Sequence, residues 1–277
     1  MGISANDIKA FRDKTGLPMM ECKTALVEAN GDEEKALDIL RKRGFTKAAK
    51  MADREAGQGR VACFVDEAAR AGGIIELRCE TAPVANTDDF INLCNTIARE
   101  AALNEGANAE TMPERAITGG GGRKISDAMN DVFNRLRENM QLKRIARLTG
   151  EVGSYVHHNG QVGALIEMSK PCSADVKGDV CMQIVAMKPP YLKSEDVPTA
   201  DVERQREAAR AEITGKPANI VDKIVDGKIK TWFGEITLLG QAFVKSDKFS
   251  GSVQEYLNSV SPGLTVNRFV RFEVGLS

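Results

Sequence analysis

At residue 60 the hydrophobic period of the chain changes from the roughly 3.6 residues of helices to the roughly 2 of strands, and the segment that follows is used twice. Val61 to Val65 and Ile74 to Cys79 alternate on either side of Ala71-Gly72-Gly73, which reads as their turn, and a helix from Thr87 places Phe90, Leu93, Cys94, Ile97 and Ala101 on one face. The same plan returns later. Glu151 to Val156 and Val162 to Met168 flank Asn159-Gly160, and a helix capped by Ser173 carries Val176, Val180 and Ile184. Even the central words match, Ile74-Ile75-Glu76-Leu77 against Leu165-Ile166-Glu167-Met168. A strand pair must cover one apolar face, and each pair here is followed by a helix able to do so. The predicted class is therefore α+β, with two related core lobes built on antiparallel sheets.

The remaining segments fit around these lobes. Residues 1–44 read as three short helices: Ser4 and Asp7 make a capping start, Thr15-Gly16 and Asn30-Gly31 are stops, and Asp32 caps the third helix, which ends in Arg41-Lys42-Arg43 before Gly44. So thin a core suits a recognition module joined to a larger body. Residues 45–59 form a helical linker, 60–141 the first lobe, and 142–193 with 231–277 the second. Ile125, Met129, Val132, Phe133, Leu136 and Met140 recur at helical spacing as a core helix between the lobes. Residues 194–230, broken by Gly215-Lys216-Pro217, form an inserted helical hairpin, after which Ile236 to Val244 and Arg268 to Val274 alternate as strands.

Composition excludes several classes of function. Among 277 residues, 38 Lys and Arg balance 39 Asp and Glu, so no global positive field exists to hold nucleic acid or an anionic membrane. The two histidines, His157 and His158, are adjacent, and the six cysteines show no zinc-knuckle or redox spacing, which implies no metal, no cofactor and reduced thiols. The start lacks a secretory pattern and no stretch is apolar enough to span a bilayer, which points to the cytoplasm. Gly119-Gly120-Gly121-Gly122-Arg123-Lys124 precedes a helix but lacks the strand and spacing of a phosphate loop, Asp88-Asp89 suits a helix start, and no nucleophile motif occurs. The chain is expected not to be an enzyme.

Against that background, Thr15-Gly16-Leu17-Pro18-Met19-Met20-Glu21-Cys22-Lys23-Thr24-Ala25-Leu26, followed by Glu28-Ala29-Asn30-Gly31-Asp32, closely resembles the N-terminal signature of the elongation factor Ts family. The likeness continues through Glu138-Asn139-Met140, Gly153-Ser154-Tyr155 with His157, Gly240-Gln241-Ala242-Phe243-Val244 and Arg268-Phe269-Val270-Arg271-Phe272-Glu273-Val274. It implies a ubiquitin-associated-like bundle at the N-terminus and a coiled-coil character for the hairpin. It also implies a role as guanine nucleotide exchange factor for elongation factor Tu, bound with GDP or free of nucleotide, and leaves self-association open.

The resemblance assigns a partner-binding, magnesium-dislocating loop to Thr81, Ala82, Pro83, Val84, Ala85 and Asn86. Here the chain departs from the family pattern Cys-Gln/Glu-Thr-Asp-Phe-Val-Ala, because Ala82 and Pro83 replace the Asp and Phe. Pro83 keeps an apolar, rigid group but no aromatic wedge, and Phe90 sits in register with a helix face rather than standing in for the lost Phe. Tyr155 and His157 match a second partner-facing turn, lengthened at His158-Asn159-Gly160; taken alone they read as packing and a solvated imidazole. Met19 and Met20 suit either bundle packing or a partner surface. With the sequence running to Leu276-Ser277, the C-terminal helical module of some relatives is expected to be missing. The alternative is a scaffold that holds elongation factor Tu with little or no exchange activity.

Overall fold

A computed structural model of the protein describes residues 3–51, 53–214 and 217–276, with the backbone alone at 45, 49, 218 and 219. The expected turn residues Gly215 and Lys216 and the terminal Ser277 lie outside them. Three helices open the chain: α1 (Ala5–Thr15), α2 (Met19–Glu28) and α3 (Glu33–Met51). The capping start is present. Asp7 N–H donates to Ser4 Oγ at 3.2 Å, and Ser4 N–H to the Asp7 carboxylate at 2.9 Å. Gly16 closes α1 at φ +68°, and Phe11, Cys22, Leu26, Ala36 and Leu40 fill the small core.

Helix α3 does not stop at Gly44, as the sequence suggested, but runs on to Met51, so Arg41 to Arg43 lie within it and not at its end. The glycine serves another purpose. A Cβ there would overlap the Asn134 amide and come within 2.6 Å of Asn130 Oδ1, both on α6 (Ile125–Leu136), so its bare backbone lets the two helices meet. Asn130 fastens the contact by donating to Arg41 O at 3.0 Å.

The first sheet has the order β1 (Gln58–Asp66), β2 (Ala71–Cys79), β3 (Gln141–Thr149), all antiparallel. Two corrections follow. Gly72 and Gly73 are not a turn but lie inside β2, while the reversal falls at 67–70 with Arg70 at φ +47°. And β3, placed by the sequence in the second lobe from residue 142, completes the first. Its alternation was masked because inward-facing Arg144 pairs with the fully buried Glu76 at 2.6 Å, where an apolar residue would be expected. One face of this sheet is covered by α5 (Asp88–Leu103), whose Phe90, Leu93, Cys94 and Ile97 meet Ile75, Leu77 and Cys79.

The second sheet pairs β4 (Glu151–Val156), β5 (Val162–Met168) and β6 (Val266–Glu273), again antiparallel and in that order. Helix α7 (Ala174–Met187) and α10 (Val253–Val260) pack on its other face. The sheets share a core of Val61, Ile74, Leu148, Val152, Leu165 and Phe272. No strand forms over 236–244. The segment turns at Thr237, whose carbonyl accepts from Gly240 and Gln241, while buried Leu238 and Phe243 join the core without a ladder. Between these parts α8 (Thr199–Ala211) and α9 (Ala218–Ile236) lie side by side in opposite directions, with Arg206 to Asp226 at 2.8 Å and Arg210 to Asp222 at 3.1 Å. Helix α9 thus runs past the expected end at residue 230.

Two predictions follow from the packing. In Gly73→Ala the new Cβ would lie 2.5 Å from Ala98 O and Ala102 N, backbone atoms of α5 that cannot turn aside, so chemical denaturation should show a loss of about 3 kcal/mol or more. Asp179 is buried on α7 and accepts from Lys245 at 2.6 Å, from Lys248 and from Tyr256 at 2.9 Å. Burial pushes its carboxyl up, but the hydrogen bonds from Lys245, Lys248 and Tyr256 outweigh that and hold it below the usual carboxylate range. A lowered native pKa stabilises the fold at neutral pH and ceases to do so as the pH falls through it. Asp179→Asn should therefore lose about 1–3 kcal/mol at pH 7, and its gap from the parent should close in denaturation curves taken below pH about 4.

Candidate functional site

The segment after β2 is a single exposed turn of helix, α4 (Ala82–Ala85), tied at both ends. At its start Thr81 donates twice to Glu138, from N–H at 3.0 Å and from Oγ at 2.6 Å. At its end Asn86 Nδ2 donates to Ala82 O at 2.9 Å, closing the turn on itself. Pro83 sits in the first turn, where its missing N–H leaves no hydrogen bond unmade. Of the six residues assigned to this segment, Thr81, Ala82, Pro83 and Asn86 face solvent, Val84 is half-buried and Ala85 lies in the core beneath. Ala85 thus anchors the turn in the core of the first lobe.

Cys79, immediately before, donates its thiol to Thr81 O at 3.2 Å. Burial, reinforced by the nearby Glu138 charge, pushes this thiol up to about 12, so it stays protonated and is no nucleophile. Phe90 is fully buried against β2, as its register predicted.

The second expected element is the turn between β4 and β5. His157 N–H donates to Val162 O at 2.9 Å and Gly160 N–H to His157 O at 2.8 Å, while Asn159 Oδ1 accepts from Gln161 N–H at 3.0 Å. The Tyr155 hydroxyl lies 3.1 Å from His157 Nδ1, and the His157 and His158 rings are 4.3 Å apart. Tyr155 packs on the second core, His157 is half-buried and His158 is exposed. With no carboxylate in this group, an imidazole here is a shape and a hydrogen-bonding group.

The third element is the start of α2. Met19 is 42% and Met20 67% exposed, and Val27 is 54% exposed further along the helix, so these side chains do not fill the bundle. The next residue, Glu21, accepts from Arg137 at 2.6 Å and Lys47 at 2.9 Å. Burial raises the Glu21 carboxyl, but the hydrogen bonds from Lys47 and Arg137 hold it below the usual range.

These three elements are joined through side chains that sequence reasoning did not assign. Arg137 and Glu138 are neighbours, so one short segment grips α2 through Glu21 and α4 through Thr81. Arg60 at the start of β1 reaches Asn86 Oδ1 at 3.3 Å. Glu138 fell within the matched run Glu138-Asn139-Met140, which was the only signal for it; the others carry none, since a lone charge shows no period.

The glycine cluster is no phosphate cradle. The N–H groups of Gly120 and Arg123 are used within the loop, and Glu100, fully buried, holds it by accepting from Thr118 N–H at 3.0 Å and Oγ at 2.8 Å. The N-terminus of α6 is filled by its own acid, as Lys124 N–H donates to Asp127 at 3.0 Å. Among the described residues no cluster of His, Cys, Asp and Glu could hold a metal ion, and no helix is long and apolar enough to cross a membrane.

The double bond to Glu138 generates a prediction. Glu138→Ala should free the start of α4 and raise amide hydrogen exchange across 81–86 while the sheets stay protected, at about 1 kcal/mol in global stability.

Comparison with known proteins completes this picture. A family model described as Elongation factor TS matches residues 80–276, well over half of the chain. Elongation factor Ts of Nautilia profundicola is 38% identical over 289 residues, covering 99% of this chain and 93% of that protein. Its counterpart in Prosthecochloris aestuarii is 38% identical over 284 residues, with 99% of both chains covered, and that of Clostridium perfringens 38% over 286 residues, covering 99% and 93%. The chain belongs to the elongation factor Ts family.

Proposed function

We propose that the chain is a guanine nucleotide exchange factor that binds elongation factor Tu with GDP and speeds GDP release in the cytoplasm, with no bond made or broken in a substrate. Membership of the elongation factor Ts family is the observation that carries this reading. The geometry supports it through three elements on different parts of the chain, namely the exposed Met19 and Met20 on α2, the exposed α4 turn and the half-buried Tyr155–His157 turn, tied by Glu21 to Arg137, Thr81 to Glu138 and Gly160 O to Val61 N–H. Physically, exchange is negative coupling: a protein that grips the nucleotide-poor form of its partner weakens nucleotide binding by the factor by which nucleotide weakens the grip.

Within this reading the three N-terminal helices are a ubiquitin-associated-like module that presents the methionines. Residues 45–59 lead to the core, and the two lobes present α4 and the β4–β5 turn. The α8–α9 pair is a coiled-coil insertion of the second lobe. The α4 turn meets the partner near its magnesium and phosphates. Ala82 and Pro83 offer no carboxylate and no aromatic ring there, so the turn acts by bulk and stiffness and the surrounding contacts carry more of the work.

Stopped-flow release of fluorescent GDP from the cognate elongation factor Tu is the test. Substoichiometric chain should multiply the release rate; tight association with an unchanged rate would instead establish the scaffold reading. Ala82→Asp with Pro83→Phe should raise the rate by about tenfold or less, the effect of one or two added contacts, and a much larger gain would show that the loop dominates exchange after all.

A further inference from the structure

Arg60 is the one side chain that touches both the α4 turn and the β4–β5 turn through the contacts described. On one side its Nη1 donates to Asn86 Oδ1 at 3.3 Å, and Asn86 in turn closes α4 by donating to Ala82 O at 2.9 Å. On the other side its stem and guanidinium lie against Gly160. That glycine has φ +70°, and a Cβ there would overlap the Arg60 Cζ and come within 2.8 Å of its Cγ. The backbone beside it is locked as well, for Val61 N–H donates to Gly160 O at 2.8 Å and Gln161 Nε2 to Gly59 O at 3.0 Å. Among the described residues no carboxylate forms an ion pair with Arg60, so these contacts alone orient it.

A helix of four residues has almost no stability of its own, because the cost of nucleating a turn exceeds what one turn returns. If α4 is to displace groups in a partner, something must hold it against the reaction force. Glu138 holds its start to the α6–β3 junction of its own lobe. Arg60 holds its end, and does so across the boundary, by resting on a glycine of the second sheet's turn.

We propose that Arg60 is a positioning residue for nucleotide release, fastening the α4 turn of the first lobe to the His157–Gly160 turn of the second so that both engage the partner as one stiff edge. The proposal rests on the exchange reading above. A loosened α4 can still be pressed into its place, so binding persists; what is lost is resistance at the point where nucleotide contacts are broken. Loss of Arg60 therefore lowers the release rate at saturation and leaves the half-saturating concentration nearly unchanged.

The test is GDP release from the cognate partner, titrated with the full chain and its variants, beside thermal melting of each. Parent chain that fails to accelerate release would refute the exchange reading whatever Arg60 does. With an active parent, Arg60→Leu, which retains the covering stem, should reduce the saturating rate about three- to tenfold, the range for one lost hydrogen bond. Its half-saturation and melting midpoint should match the parent. Asn86→Ala, which also removes the bond to Ala82 O, should lose at least as much, and the double variant no more than Asn86→Ala alone, because the Arg60 tie is already cut there. Arg60→Lys, which keeps a cationic donor toward Asn86 but loses the guanidinium that rests against Gly160, should recover part of the rate. Parental rates in Arg60→Leu, additive losses in the double variant, or a rate loss matched by a fall in melting midpoint would each overturn the proposal. Should Arg60→Leu fail to fold, the exposed Asn86→Ala variant decides alone: a parental saturating rate refutes the tie.

Discussion

Strand β2 has no room for a side chain at Gly72 or Gly73, and the placement of nearly everything else depends on that. On one face, the backbone of α5 comes so close at Ala98 and Ala102 that a Cβ on Gly73 would collide with it. On the other, Val152 and Leu165 of the second sheet occupy the space a Cβ on Gly72 would need. Two adjacent glycines thus let one strand be pressed between a helix and a second sheet. Because α5 lies so near β2, the connection between them has only residues 80–87 to span, and α4 is held at the edge of the lobe. The same contact brings β4 and β5 against the first sheet, which sets the His157–Gly160 turn beside the start of β1.

The other end of β2 carries a different constraint. Glu76 is fully buried and accepts from Arg78 at 2.7 Å, Arg144 at 2.6 Å and Gly275 N–H at 3.2 Å, and Arg144 stacks 4.4 Å over the Phe272 ring. Such a group adds little net stability once its desolvation is counted, yet separating the partners strands a buried charge. It therefore selects against any packing that shifts β3 or β6 relative to β2. The shared apolar core between the sheets is small, so non-directional burial alone would define their relative position poorly. Glycines fix how near the sheets come, and the Glu76 group fixes how they are aligned.

These features also explain what could be read from the sequence. Local signals survived: the capping box at Ser4, the stop at Gly16, the faces of α5 and α7, and the strands around Asn159-Gly160 are where period and turn chemistry put them, while α6 ends at Leu136, short of the expected Met140. The errors arose wherever a residue was chosen for a distant neighbour. Gly44 resembles a helix stop but makes room for α6, Gly72-Gly73 resembles a turn but makes room for α5 and β4, and the arginines of β3 hide a strand because one of them answers Glu76. The surface follows the same rule. Its turns were recognisable through family resemblance, whereas the ties that hold them, Glu21 to Arg137, Thr81 to Glu138 and Asn86 to Arg60, join residues far apart in the chain and leave no local trace.

Those ties bear on how a protein could drive exchange through binding alone. Its effect on a partner is limited by the difference in its affinity for two conformations of that partner, and a soft surface would adapt to both and distinguish neither. The side chains proposed to meet the partner are small, flexible or uncharged: two methionines, an alanine, a proline, a histidine. None supplies much selectivity through its own chemistry. Stiffness must come from behind, and each element is backed by a charged or hydrogen-bonded tie: Glu21 to Arg137 and Lys47, Thr81 to Glu138, and Gly160 O to Val61 N–H. Under the proposed reading, discrimination between partner states resides in the fixed spacing of the three elements, which the tethers set and the exposed side chains do not.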